Sequence, residues 1–187
     1  MSTNAMIILA VAVIAVVVVI ALLMKTRKSQ QLKARFGQEY QRAVESAGNK
    51  RLAEAKLEKL EKRVHGFNLV ELTPEARLAF DAEWKQIQAR FVDDPKVALA
   101  EADQLIQKMM TARGYPTADF EQRAADISVD HPLVVENYRA GHEITLRHAQ
   151  GRATTEDMRQ AMIHYRTLFA DLAGAPEIAR TATAGRA

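Results

Sequence analysis

Four of the five histidines lie between positions 131 and 164, and histidine is the side chain best suited to proton transfer and metal binding near neutral pH. They are His131, His142, His148 and His164. The string His142-Glu143 resembles the start of a zinc-protease helix, but that motif requires a second histidine four residues after the first, and position 146 is leucine. The next histidine, His148, lies about 240° further around a helix, so one metal ion cannot easily bind both rings.

A composite site can still be assembled from residues that are distant in sequence. His131 lies at the start of one predicted helix and His164 on the last, and Asp130 or Glu136 could add a carboxylate. With His142, these residues are the candidates for an enzyme that transfers protons or uses a metal ion, although no defined metal site and no cofactor is predicted. The chain lacks the G-x-x-x-x-G-K and G-x-S-x-G motifs, and it has no cysteine for thiol chemistry or disulfides.

The most densely charged part of the chain is residues 119–148, where acidic and basic side chains alternate. Pairs one helical turn apart, such as Glu143 with Arg147, can neutralise much of this charge on a solvated surface. The competing interpretation is a surface that recognises a protein partner, because tyrosine and arginine are enriched among the residues that dominate binding energy. The residues predicted for that surface are Asp130, His131, Tyr138 and Arg139.

The spacing of apolar residues predicts that helices carry all of these side chains. Thr73-Pro74 and Asp94-Pro95 are typical helix starts, since a side-chain oxygen caps the free N–H groups and proline fits the first turn. Thr154 with Asp157 predicts a capping box at the start of the last helix. Each start precedes an apolar stripe at helical spacing. The stripes are Phe80, Trp84, Ile87 and Phe91, then Ala98, Ala102, Leu105 and Met109, and finally Met158, Met162, Tyr165, Phe169 and Leu172.

Residues 5–24 are consecutively apolar, and as a helix they would be about 30 Å long, the thickness of a bilayer's hydrocarbon core. The leader before them lacks the basic residues of a signal peptide, so an uncleaved transmembrane helix is predicted. A basic juxtamembrane segment, 25–35, follows, and basic residues beside a span stay on the cytoplasmic side. The N-terminus is therefore predicted outside and the C-terminal domain in the cytoplasm. The topology-setting residues are Lys25, Arg27, Lys28, Lys33 and Arg35.

The charge is divided unevenly along the chain. Residues 1–35 contain five basic residues and no carboxylate, whereas residues 36–187 carry a net charge of −2. No excess positive charge remains in the body of the chain to bind nucleic acid. No repeat or linker divides residues 36–173, which are predicted to form one multi-helix soluble domain, and residues 174–187 are predicted to be a disordered tail. The predicted fold class is all-α, with an N-terminal transmembrane helix.

Five strings of the sequence resemble a family of short bacterial proteins that have one N-terminal membrane segment and a helical body. They are RFGQEY at 35–40, FVDDP at 91–95, RGYP at 113–116, DFEQRAADISVDHPLVVENYR at 119–139 and TEDMRQAMIHYRTLF at 155–169. The family is uncharacterised, and its members are labelled hypothetical or secreted. The resemblance implies a bacterial origin, which places the predicted span in the inner (cytoplasmic) membrane, and it transfers no catalytic residue.

The function predicted from these observations is protein interaction. A single-pass, membrane-anchored helical domain would act as an interaction or scaffold module, with no catalysis expected. Its predicted partners are the lipid bilayer and an unidentified protein, and neither a nucleic acid nor a small-molecule substrate is indicated. The alternative is a His/carboxylate enzyme, with or without a metal ion, centred on residues 130–164.

Overall fold

The computed structural model describes the backbone of residues 3–174, and it describes the side chains in that range except those of 3–11, 15, 18, 21 and 22. The described residues form eight α-helices and no strand, so the all-α part of the predicted fold class is confirmed. The helices are α1 (Thr3–Phe36), α2 (Gln38–Ala47), α3 (Lys50–His65), α4 (Pro74–Asp93), α5 (Pro95–Ala112), α6 (Phe120–Asp130), α7 (Val135–Ala149) and α8 (Thr155–Leu172).

The predicted transmembrane helix over residues 5–24 is contradicted. A membrane span needs about 20 predominantly apolar residues, and none of the helices built from the described residues combines that length with that apolar character. The same finding corrects the predicted single-pass topology and inner-membrane location. Residues 5–24 instead form the first part of α1, which continues without a break through the basic segment 25–35 to Phe36.

The chain divides into two compact units, Met1–Lys59 and Leu60–Ala187, and the boundary falls inside α3. In the first unit, α1 packs against α2. Among the described side chains of this unit, the buried apolar ones are Leu32, Phe36, Tyr40, Ala53 and Leu57. Its hydrophobic contacts therefore involve the C-terminal half of α1, which also carries the basic residues.

Helix α5 lies at the centre of the second unit. It contacts α4, α7 and α8, and α7 also contacts α6 and α8. Each large apolar side chain that is fully buried contributes about 1.5–3 kcal/mol to folding, so α5 contributes substantially to core stability. Its buried residues are Ala98, Leu99, Ala102, Leu105, Ile106, Met109 and Met110.

The side-chain caps predicted at the starts of α4, α5 and α8 are confirmed. The side chain of Thr73 accepts a hydrogen bond from the backbone N–H of Ala76 at 3.2 Å, and the capping box of Thr154 and Asp157 is complete. Asp94 caps α5 in the same way. These contacts satisfy N–H groups that have no partner within the first helical turn.

One backbone crossing ties the α3–α4 connection to the end of α5. The N–H of Val70 donates to the carbonyl of Arg113 at 3.0 Å, and a Cβ at Gly114 would lie 2.4 Å from the carbonyl oxygen of Asn68. Because Gly114 also has φ +93°, only glycine fits this crossing without strain. At the other end of the unit, the predicted disordered tail 174–187 lies outside the described residues except for Gly174.

Candidate functional site

A cluster of polar side chains lies where α5, α7 and α8 pack together. Tyr165 on α8 donates its hydroxyl proton to Asp103 Oδ1 on α5 at 3.0 Å, and Gln107 donates to Asp103 Oδ2 at 2.6 Å. His142 on α7 places Nδ1 3.9 Å from Asp103 Oδ1, which is too long for a hydrogen bond but close enough for electrostatic attraction. This cluster brings a predicted candidate, His142, next to an acid that sequence reasoning missed.

The electrostatics of the cluster keep Asp103 ionised. Burial alone would raise the pKa of Asp103, but the neighbouring His142 and the hydrogen bonds from Tyr165 and Gln107 outweigh it, so the pKa is lowered overall. Burial and the adjacent Asp103 charge raise the pKa of Tyr165. Asp103 therefore serves as a charged acceptor and Tyr165 as a permanent donor at neutral pH.

Close packing holds the His142 ring parallel to a neighbouring aromatic ring. It stacks on Phe120 with ring centroids 3.6 Å apart and planes 10° from parallel, and the guanidinium of Arg139 lies 5.9 Å from the Phe120 centroid. On the same helix, Gly141 lets the Tyr165 ring approach the backbone, since a Cβ there would lie 3.3 Å from the ring. His142 is thus held by packing, and its buried Nδ1 makes no hydrogen bond with the described residues.

Two of the other predicted catalytic candidates, His131 and His164, have separate partners. His131 Nδ1 pairs with Asp171 Oδ2, and His164 Nδ1 lies 2.8 Å from Asn137 Oδ1. Glu136 lies near the start of α7, partly exposed. Among the described residues, no three histidine or carboxylate side chains are arranged to hold a metal ion. The structure therefore places His131 and His164 in separate local contacts rather than in one group.

The predicted binding-surface residues are mostly involved in internal contacts. Tyr138 is fully buried, and its hydroxyl accepts a hydrogen bond from Arg123 Nε at 3.0 Å. Burial raises the pKa of Tyr138 to about 12, against the opposing effect of Arg123. Tyr115 donates to Asp130 at 3.4 Å, and Arg139 pairs with Glu121 at 2.7 Å. Tyr138 and His131 are thus engaged with neighbouring helices, whereas Asp130 is exposed.

A pocket that the sequence did not reveal lies between α4 and α8, both of which pack on α5. The indole of Trp84 stacks on Phe169 with centroids 5.1 Å apart, which brings the two helices together. The pocket has a volume of about 160 Å³. Its lining consists of Trp84, Gln88 and Phe91 from α4 and Arg159, Met162, Ile163 and Arg166 from α8.

The spacing of the pocket residues explains why they share one surface. On α8 they follow an i, i+3, i+4, i+7 pattern, and on α4 they follow i, i+4, i+7, so each set occupies one helix face. Sequence reasoning assigned Trp84, Phe91 and Met162 to core stripes. The sequence feature that could have indicated the pocket is the pair Arg159 and Arg166, which flank Met162 and Ile163 on the same helix face.

Comparison with protein-family models, with curated proteins and with solved structures finds no match to this chain. The resemblance to short bacterial proteins, carried by strings such as 119–139 and 155–169, stays a prediction.

Proposed function

We propose that the second unit is a protein-interaction module whose docking point is the pocket between α4 and α8. The observation that carries this proposal is an apolar pocket, formed by Trp84, Phe91, Met162 and Ile163, with an arginine at each end of its α8 wall. A partner would insert one large apolar side chain and place a carboxylate next to Arg166. No catalytic step is part of this function.

The size of the pocket supports a side chain as its occupant. Pockets for small molecules and cofactors measure about 300–1,000 Å³, whereas this one measures about 160 Å³. Protein interfaces, by contrast, are dominated by a few large side chains that fill small, water-excluding pockets on the partner. The floor is preformed, since Trp84 and Met162 are both buried.

The charges around the pocket indicate what lies beside the inserted side chain. Glu156 already binds Arg159 through two hydrogen bonds, at 2.8 and 2.7 Å, and thereby neutralises it. Arg166 is exposed and lines the same pocket. A carboxylate on the partner, about one helical turn from its apolar anchor, would therefore meet Arg166 and form a charge-assisted hydrogen bond.

The alternative function, a His/carboxylate enzyme in residues 130–164, receives less support from the geometry. Its candidates His131 and His164 contact Asp171 and Asn137, whereas His142 is stacked on Phe120. A general base must lie within hydrogen-bond reach of the proton that it removes, and these three rings are engaged with different neighbours inside the fold.

The proposal is tested by selecting a displayed random peptide library on the full chain. We expect recovered peptides to share a Trp, Phe or Leu anchor with Asp or Glu three or four positions away. Ile163→Asp places a charge in the pocket and should abolish this consensus, whereas Leu78→Asp, at an exposed apolar site on α4, should retain it. Because Ile163→Asp could also perturb folding, the exposed Arg166→Glu is selected in parallel and should replace the acidic preference by a basic one. If Ile163→Asp and Arg166→Glu both recovered the same peptides as the Leu78→Asp control, the proposal would be contradicted.

A further inference from the structure

The first unit contains a cleft of about 740 Å³ lined by the C-terminal half of α1 and the first turns of α3. This volume is within the range of small-molecule sites. Three cationic side chains, Lys25, Lys50 and Arg51, line the cleft. The other polar residues of its wall are Thr26, Ser29, Gln30, Asn49 and Glu54. The lining is thus rich in hydrogen-bond donors and carries excess positive charge.

Glu54 organises the cations of the cleft. Its carboxylate accepts a hydrogen bond from the Tyr40 hydroxyl at 2.9 Å and lies 3.7 Å from Lys50 Nζ. Burial would raise the pKa of Glu54, but hydrogen bonds from Ser29 and Tyr40 and the charges of Lys50 and Lys25 lower it overall. Glu54 is therefore ionised and attracts both lysines toward one side of the cleft.

The cations, rather than the backbone of α3, provide the attraction for a ligand. Asn49 Oδ1 accepts hydrogen bonds from the backbone N–H groups of Arg51 and Leu52, at 2.8 and 3.3 Å. These first N–H groups of the helix are thus already satisfied. The side chains of Lys50 and Arg51 are exposed. Their positive charges are therefore available to attract an anionic ligand.

We propose that this cleft binds a phosphate monoester. Lys25, Lys50 and Arg51 against one Glu54 leave two positive charges, which match the charge of about −1.5 to −2 that a phosphate monoester carries near pH 7. The guanidinium of Arg51 can donate two parallel hydrogen bonds to phosphate oxygens, and the lysines add compact charges. Ser29 and Asn49 can complete the contacts to the remaining oxygens. The phosphate could belong to a soluble metabolite or to a lipid headgroup.

Binding is tested by titrating the full chain with glycerol 3-phosphate at constant ionic strength and following backbone amide chemical shifts. We expect saturable shifts at Asn49, Lys50 and Arg51. The double variant Lys50→Gln, Arg51→Gln should bind at least about tenfold more weakly, since two charge-assisted contacts are lost. The matched control Arg27→Gln, Lys33→Gln removes the same two charge types from α1 outside the cleft and should bind as the natural chain does.

The source of the phosphate is distinguished with a second probe, a short-chain phosphatidic acid kept below its micelle concentration. Binding at least about tenfold tighter than glycerol 3-phosphate assigns the site to lipid headgroups, and equal binding assigns it to soluble phosphate esters. Both outcomes support a phosphate site. Shifts that do not saturate with either probe overturn the proposal. Equal weakening in the double variant and its control also overturns it, because that result would reflect overall charge and not the cleft.

Discussion

The indole of Trp84 and the ring of Phe169 stack with their centroids 5.1 Å apart and their planes 17° from parallel. The contact joins α4 to α8, and Trp84 also lines the pocket to which we assign the interaction function. An aromatic pair of this kind is worth about 0.5–1.5 kcal/mol beyond its hydrophobic area. The contact that stabilises the unit therefore also keeps α4 and α8, the two walls of the proposed docking site, together.

Phe169→Leu is expected to destabilise the second unit by about 1–2 kcal/mol, because the substitution keeps most of the apolar volume but removes the stacked ring. Trp84 is the single tryptophan of the chain, so its fluorescence should shift to longer wavelength as water reaches the indole. Urea titration followed by fluorescence measures both effects. Leu78→Ala, at a side chain that is 70% exposed, is the control and should change neither. An unshifted emission maximum in Phe169→Leu would show that the stack does not shield Trp84.

Arg63→Met is expected to cost about 1–3 kcal/mol, because it leaves the buried carboxylate of Asp126 without its cation. Arg63 Nε donates to Asp126 Oδ1 at 3.1 Å, and Gln122 donates to the same oxygen at 2.7 Å. The lower half of that range is favoured since Arg63 is 45% exposed while Asp126 is 1% exposed. Denaturant midpoints provide the measurement.

The exposed neighbour on α3 supplies the control for Arg63. Lys62→Met should change stability by less than about 0.5 kcal/mol. Adding Asp126→Asn to Arg63→Met should recover part of the loss, because the buried charge is then removed as well. If the double variant lost more unfolding free energy than the two single variants lose in total, the interpretation of this pair as a buried charge and its counter-ion would be contradicted.

Gly114→Ala is expected to destabilise the second unit by roughly 3 kcal/mol or more. The new Cβ would meet the Asn68 carbonyl oxygen at 2.4 Å, and the residue has φ +93°, so steric overlap adds to backbone strain of about 1–3 kcal/mol. Gly151→Ala is a matched control, since Gly151 has φ +69° with nothing within 4 Å, and it should show the strain alone. Equal losses in the two variants, measured by thermal or urea unfolding, would rule out the crossing at Asn68 as a constraint.

Stability should decrease as the pH falls below about 6.5, in part because of His164. Burial lowers the pKa of His164 from its ordinary value of 6.5. The folded state therefore favours the neutral ring. The contribution of His164 to the unfolding free energy is fully present above the unfolded pKa and is lost as the pH falls through the lower folded pKa. His164→Gln should reduce the slope of unfolding free energy against pH in this window. Identical slopes in His164→Gln and in the natural chain would refute the assignment to His164.

The sequence was sufficient for features that depend on near neighbours in the chain. The caps at Thr73, Asp94 and Thr154 each involve residues within one turn, so their side-chain types were enough to place the starts of α4, α5 and α8. The start of α7 was less well placed. His131-Pro132 predicts a helix start, whereas His131 is the C-cap of α6 and α7 begins at Val135.

The candidate sites depend on residues that are far apart in sequence, and their spacing gave no sign of contact. Asp103 meets Tyr165 only because α5 and α8 pack together, and Trp84 meets Phe169 across α4 and α8. The residue type of Tyr138 predicts a surface anchor, yet Tyr138 is fully buried beside Phe120, with ring centroids 4.9 Å apart. Residue type indicates which side chains suit an interface, but helix packing decides whether they reach the surface.

The most direct test of the proposed interaction function is a fluorescence titration of the full chain with a peptide from the library selection. Trp84 is the only tryptophan and lines the pocket, so a tryptophan-free peptide that inserts its anchor should produce a saturable change in Trp84 emission. Replacing the anchor by alanine, or Ile163 by aspartate, should abolish that change, whereas Leu78→Asp should preserve it. Binding that leaves Trp84 emission unaltered, or that persists unchanged in Ile163→Asp, would contradict the assignment of the pocket as the docking site.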